Sequence, residues 1–209
     1  MAPEAGFVVA SRSVAPRTTD VLAIVEAAYR LDVADREWLE GVALACRPVL
    51  DEGFGLSAFE FHYQIGSRPR ILQATRIGMS EDLEKAYPVV FASLDPDVQQ
   101  RPFLRGPCTT ASQIMGLRRD FGNNELMKHF AQKYGIYDSL WITAAEPSGW
   151  GCGLHAGRPR FGWPSRATIG RWTRIAAHLS AAVRLRKRLA VGTTANRSSL
   201  GATEAVFSP

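Results

Sequence analysis

The sequence predicts an α+β fold, a central antiparallel sheet with flanking helices and a long C-terminal helix. Three observations lead there. Two pairs of strand-like segments, 55–64 with 68–78 and 137–146 with 150–157, are joined by turns so short that the strands must pair antiparallel. Helix-like segments stand before, between and after these hairpins, instead of alternating with single strands as a doubly wound sheet requires. From Ser165 to about Val191, apolar residues recur at three- and four-residue steps, the period of an amphipathic helix.

The elements follow in order. Residues 1–17 read as a disordered arm ending near Pro16. Asp20 is placed to cap a short helix to about Arg30 with Val21, Ile24, Val25 and Ala28 inward, and Asp35 opens a second helix with Trp38, Leu39, Val42 and Cys46 inward. In the first strand, Phe59, Phe61 and Tyr63 share one face, and Glu60 and His62 share the other, which reads as an exposed face. A turn through Ile65-Gly66-Ser67 leads into the second strand. Ser80 caps a helix through Ser93, and a Pro-rich stretch (Pro96, Pro102, Pro107) then separates it from a third short strand near Thr109 to Met115. Asn123 or Asn124 starts a helix to Tyr134 that Gly135 ends, and Pro147-Ser148-Gly149 turns the second hairpin. Terminal helices are expected on one face of the sheet and inserted helices on the other. Residues 18–191 form the domain, and 192–209 are expected to be a flexible tail or a truncated linker.

Composition sets bounds on function. With 46% hydrophobic and 22% charged residues in 209, the chain is ordinary globular protein with enough length for one good core. The net charge of +5 is spread over Arg68/Arg70, Arg118/Arg119, Arg158/Arg160 and the run 184–188. Scattered charge of this kind is unlike the single basic face of a nucleic-acid binder, so no specific DNA binding by this chain is expected. Cys46, Cys108 and Cys152 are odd in number and far apart, which fits neither a disulfide framework nor a zinc site. No long apolar run reads as a signal peptide or a membrane span, and a cytoplasmic location is expected.

Each candidate for chemistry meets a structural explanation. Cys108 has no sequence-adjacent His to activate it, and Cys152 with His155 supplies only two possible metal ligands. Glu60 and His62 share a strand face as an acid–base pair would, but strand faces carry such residues routinely. His129 and His178 lie on amphipathic helices. Gly149, Gly151 and Gly153 sit at a hairpin and not between a strand and a helix N-terminus, so they serve turn geometry and close backbone approach instead of phosphate. No catalytic residue, metal or cofactor is expected. Phe59, Phe61 and Tyr63, with Trp141 or Ile142 on a neighbouring strand, either line a site for a small apolar or aromatic ligand or fill the core. The stripe Trp172, Ile175, Leu179 and Val183, with Leu189 beyond it, marks the last helix as a signalling and dimerisation element, and a homodimer is expected.

Several segments together resemble a known family. YRLDVADREWLEGVALACRPVL (29–50), GPCTTAS (106–112), EPSGWGC (146–152) and the closing WTRIAAHLSAAVRLRKRL (172–189) resemble the N-terminal half of bacterial LuxR-type helix-turn-helix regulators. The resemblance covers roughly residues 20 to 191 and includes no catalytic motif. It implies a GAF-like or PAS-like sensory region that signals through its last helix. The DNA-reading half of that family has no counterpart in this sequence, and ATEAVFSP (202–209) reads as the opening of a following segment. The expected function is a non-enzymatic sensory and regulatory ligand-binding module. The alternatives are a stand-alone module that dimerises with full-length relatives and a small enzyme using Cys108 or His62.

Overall fold

The computed structural model describes residues 18–118 and 124–204, excepting the side chains of 18–20 and 191–204. The arm expected at 1–17 and the last residues of the expected tail, 205–209, lie outside the described residues. Helices α1 (Thr18–Ala28) and α2 (Asp35–Leu50) come first, followed by strands β1 (Leu56–His62) and β2 (Arg70–Ile77). Then come α3 (Glu81–Ser93), α4 (Pro96–Leu104), β3 (Cys108–Thr110), α5 (Ala111–Ile114) and α6 (Glu125–Tyr134). The hairpin β4 (Asp138–Ala145) and β5 (Trp150–Arg158) leads into α7 (Arg166–Glu204).

The five strands form one antiparallel sheet in the order β2-β1-β5-β4-β3. Both expected hairpins are present, and the strand that joins them, β1 against β5, brings the two halves of the chain together. One face carries the larger core. There Leu56, Ala58, Leu140, Ile142, Ala144, Leu154 and Ala156 pack against Trp38, Leu39 and Val42 of α2, Ile24 of α1, and Trp172, Ile175, Leu179 and Val183 of α7. The Trp38 indole N–H donates to the Ala28 carbonyl at 2.8 Å, which fixes α2 against the end of α1. α3, α4, α5 and α6 cover the other face, as the strand alternation of two requires when both faces of β1 are buried.

Four local expectations are corrected. The third strand is only three residues long, because the Thr110 hydroxyl and the Gln113 side chain form a reciprocal capping box that turns the chain into α5. The Pro-rich stretch is helical: Asp95 accepts the Asp97 N–H as an N-cap, and Pro96 sits in the first turn, where a missing N–H costs nothing. The last helix continues past Val191 to Glu204, into the expected tail. The glycines there weaken a helix by about 1 kcal/mol each without ending it, and the next proline is Pro209. Finally, Glu60 is not on an exposed face. It points to the side covered by α2 and α7, buried opposite Cys152.

Candidate functional site

Alternation along β1 places Phe59, Phe61 and Tyr63 on the face opposite the larger core. Their surroundings explain what they do. Phe59 and Phe61 stand opposite Gly153 and Gly151 of β5, and their rings occupy the space a Cβ at either glycine would need. Phe103 of α4 closes over them, 4.7 Å from Phe61 and 5.4 Å from Tyr63 between ring centroids. The Tyr63 hydroxyl donates to Gln100 on the same helix. These three aromatics form a filled cluster.

The open space lies beside that cluster, over β4 and the far part of β5. Its volume is about 70 Å³, below the roughly 300–1,000 Å³ of drug-sized sites, so it suits a small molecule and a larger one needs the α3–α6 cover to move outward. Trp141 and His155, paired across the β4–β5 ladder, form its floor, with ring centroids 4.5 Å apart. Tyr87 and Phe91 of α3 and Phe130 of α6 form its walls, together with aliphatic side chains such as Ile114, Leu126 and Ile136. Phe91 stacks on Trp141 at 5.8 Å, and Tyr87 meets the His155 ring edge-on at 4.5 Å.

Of the sequence-predicted ligand residues, therefore, Trp141 lines this cavity, and Phe59, Phe61 and Tyr63 do not. Ile142 is corrected outright. It follows Trp141 in a strand, so it points the other way, into the core beneath α7. His155, Tyr87, Phe91, Phe130 and Asp138 were not singled out for the site in the sequence. The Trp141–His155 pair was within reach, since both are seven residues from Ser148, the centre of the hairpin turn. The helical walls carry no comparable signal.

The polar groups at the site divide into satisfied and unsatisfied. Asp138, fully buried at the cavity's edge, accepts from the Ser112 N–H and hydroxyl at 3.0 and 2.7 Å, from its neighbour's N–H in Ser139 at 2.8 Å, and from Gly162 N–H at 3.4 Å. Its charge is spent on holding α5 and the 158–162 turn to β4. His155 differs. Burial lowers its pKa from 6.5 to about 3, and among the described residues no charged neighbour or hydrogen bond offsets that burial, so the imidazole is neutral at physiological pH. The Tyr87 hydroxyl is buried without a partner, and burial, with Tyr134 nearby, pushes its pKa up.

The remaining candidates are dispersed. Burial raises the pKa of all three thiols, Cys108 to about 11 against an opposing effect of Arg158, which keeps them protonated and weakly nucleophilic. His62 lies tilted against Trp150 with ring centroids 4.8 Å apart, on the far side of the sheet from the cavity. Among the described residues there is no group of three His, Cys, Asp or Glu side chains able to hold a metal, and no helix long and apolar enough to cross a membrane.

Along α7, Trp172, Ile175, Leu179 and Val183 are all buried within the chain, whereas Leu185 and Leu189 are exposed. Arg186 anchors the helix. Its guanidinium donates to the carbonyls of Arg30 and Val33 and to the Asp35 carboxylate, and lies 5.1 Å over the Trp38 ring.

No protein family and no curated protein matches the chain by sequence. Solved structures do share its architecture. The chromophore-binding domain of the bacteriophytochrome RpBphP3 from R. palustris overlays 85% of the chain at a TM-score of 0.52 and 12% identity, and a longer RpBphP3 structure overlays 92% at 0.55 and 10%. The chain spans 64% and 42% of those two chains. SdiA1-171 from E. coli overlays 79% of the chain, and 94% of its own, at 0.50 and 14% identity. The fold is α+β and GAF-like, a five-stranded antiparallel sheet with flanking helices and a long C-terminal helix.

Proposed function

We propose that the chain is a non-enzymatic sensory module that binds a small apolar or aromatic molecule in the cavity beneath α3–α6 and reports occupancy through α7. The observation that carries this reading is the shared wall. Trp141 faces the cavity, and its neighbours Leu140 and Ile142 face the core in which α7 is packed, so a displacement of β4 reaches both sides. The sequence resemblance to the sensory half of LuxR-type regulators supports the same reading. So does a GAF-like fold that, in one of the overlaid proteins, is described as a chromophore-binding domain.

The output is a helix of 39 residues, about 58 Å long at 1.5 Å per residue, which exceeds the width of the sheet it packs on. With the first part of the stripe buried at home, a twin or a full-length relative would meet α7 at its exposed Leu185 and Leu189. Mass spectrometry of small molecules retained by the purified protein, followed by thermal shift across a metabolite library, tests the ligand reading. A compound that raises the melting temperature and quenches Trp141 fluorescence is expected. A library with no such compound overturns it. Light scattering tests the dimer, which a monomer mass at high micromolar concentration excludes.

A further inference from the structure

We infer that the cavity selects an uncharged aromatic molecule carrying a single hydrogen-bonding group, and that His155 is the residue on which that group docks. This rests on the ligand-binding reading above and goes further by naming the chemistry. The walls are almost wholly apolar, and no Lys or Arg lines the cavity among the described residues. A carboxylate or phosphate would therefore be stripped of water with no cation to meet it, a loss that an apolar site does not return. Among the described residues the one acidic side chain at the edge, Asp138, already accepts from four donors, so it offers an anion no donor and has little capacity left for a cation.

His155 is the opposite case. It sits on the floor, 4% exposed, between two aromatic rings and without a charge or hydrogen bond to compensate its burial. Buried polar groups are ordinarily paired, and among the described residues two on side chains that line this cavity are not. The Tyr87 hydroxyl is sealed off from it, which leaves the imidazole on the floor as the group a bound molecule completes. A neutral imidazole has one N–H donor and one acceptor nitrogen, so a carbonyl or a hydroxyl serves equally well. The aromatic side chains of Trp141, Phe91 and Tyr87 line the cavity, and rings favour a flat ring as a neighbour in edge-to-face or offset contact.

The test uses three probes of similar size on the full chain at neutral pH: ethylbenzene, acetophenone and benzoate, titrated by NMR. Acetophenone should bind about three- to tenfold more tightly than ethylbenzene, the usual net value of one hydrogen bond, and benzoate at least tenfold more weakly than acetophenone. In His155→Leu the preference for acetophenone over ethylbenzene should vanish. In the wild type, acetophenone alone should shift the ¹⁵N resonances of the His155 ring, a readout that stands even if the variant does not fold. Equal binding of ethylbenzene and acetophenone, or unmoved ring nitrogens, overturns the anchor while leaving the cavity reading intact. Benzoate binding most tightly overturns the charge selection. If none of the three binds, the ligand-binding reading itself fails.

Discussion

The ring of Phe61 covers the backbone of Gly151, its partner across the β1–β5 ladder, so closely that a methyl group at position 151 would overlap the ring. Gly153 and Phe59 repeat the arrangement one pair along. Strand glycines leave a bare patch on a sheet face, and an aromatic side chain from the neighbouring strand fills it. This relationship separates the filled half of the face from the half that holds the cavity.

Gly151→Ala is accordingly expected to destabilise the fold by about 1–3 kcal/mol through overpacking, although alanine is normally the better strand residue. Gly151 does not have a positive φ, so the effect is one of space. Denaturant melts should show that Gly151→Ala combined with Phe61→Leu loses less than the two separate losses added together. Part of the loss should remain, since a methyl group at 151 would also meet the Ala144 carbonyl oxygen of β4. Strict additivity would mean that the ring is no obstacle at all.

Phe61→Ala should destabilise by about 3–5 kcal/mol, the ordinary consequence of emptying a packed aromatic position. It should leave ligand affinity unchanged at temperatures where the variant is folded, because Phe61 does not line the cavity. A selective loss of binding with little loss of stability would reverse the assignment of the two halves of this face.

Period-two and period-3.6 patterns made the fold legible: both hairpins, the buried stripes of α2 and α7, and the placing of Phe59, Phe61 and Tyr63 on a single face follow from them. What alternation does not encode is which part of a covered face is full. That depended on Phe103 and on glycines in a strand distant in sequence, and the cavity walls come from α3 and α6, whose packing angle no local pattern records. The same gap hid Glu60. Its face of β1 begins apolar with Leu56 and Ala58 and turns polar at Glu60 and His62, yet α2 and α7 cover it as far as Glu60.

Arg186 holds α7 to the α1–α2 connection, so Arg186→Ala should destabilise by about 1–3 kcal/mol, mainly because two backbone carbonyls lose their donor. The Asp35 arm adds little, since that carboxylate is 57% exposed. Arg186→Lys should recover only part of the loss, because a single ammonium cannot span three acceptors fixed by a planar fork. Full recovery by lysine in thermal melts would show that charge alone matters.

The cover of the cavity should open before the sheet does. Pro88 lies inside α3 and Pro102 inside α4, each removing an intrahelical hydrogen bond next to the cavity-lining residues of its helix. Native-state hydrogen exchange is expected to show lower protection for amides in 81–104 than in β1 and β5, and a bound ligand should raise protection there first. Uniform protection across cover and sheet would exclude local opening as the route into the cavity.

His155 should make the fold acid-sensitive. Its pKa is lowered by burial to about 3 in the folded protein and returns to about 6.5 when the chain unfolds, so between these values the unfolded state binds the additional proton. Its contribution is fully present above pH 6.5 and is lost as pH falls toward 3, with a slope of up to about 1.4 kcal/mol per pH unit. Glu60 acts in the opposite sense. Burial raises its pKa against the attraction of Lys187, so its carboxyl favours the folded state at low pH, and that support is lost as pH rises above 4.5 through the folded value. The two effects overlap, and only a variant separates them. His155→Leu removes one titration and leaves Glu60 in place, so its melting temperature should fall less steeply than the wild type's between pH 6.5 and 4. Curves that stay parallel over that interval would mean that His155 takes up its proton without unfolding.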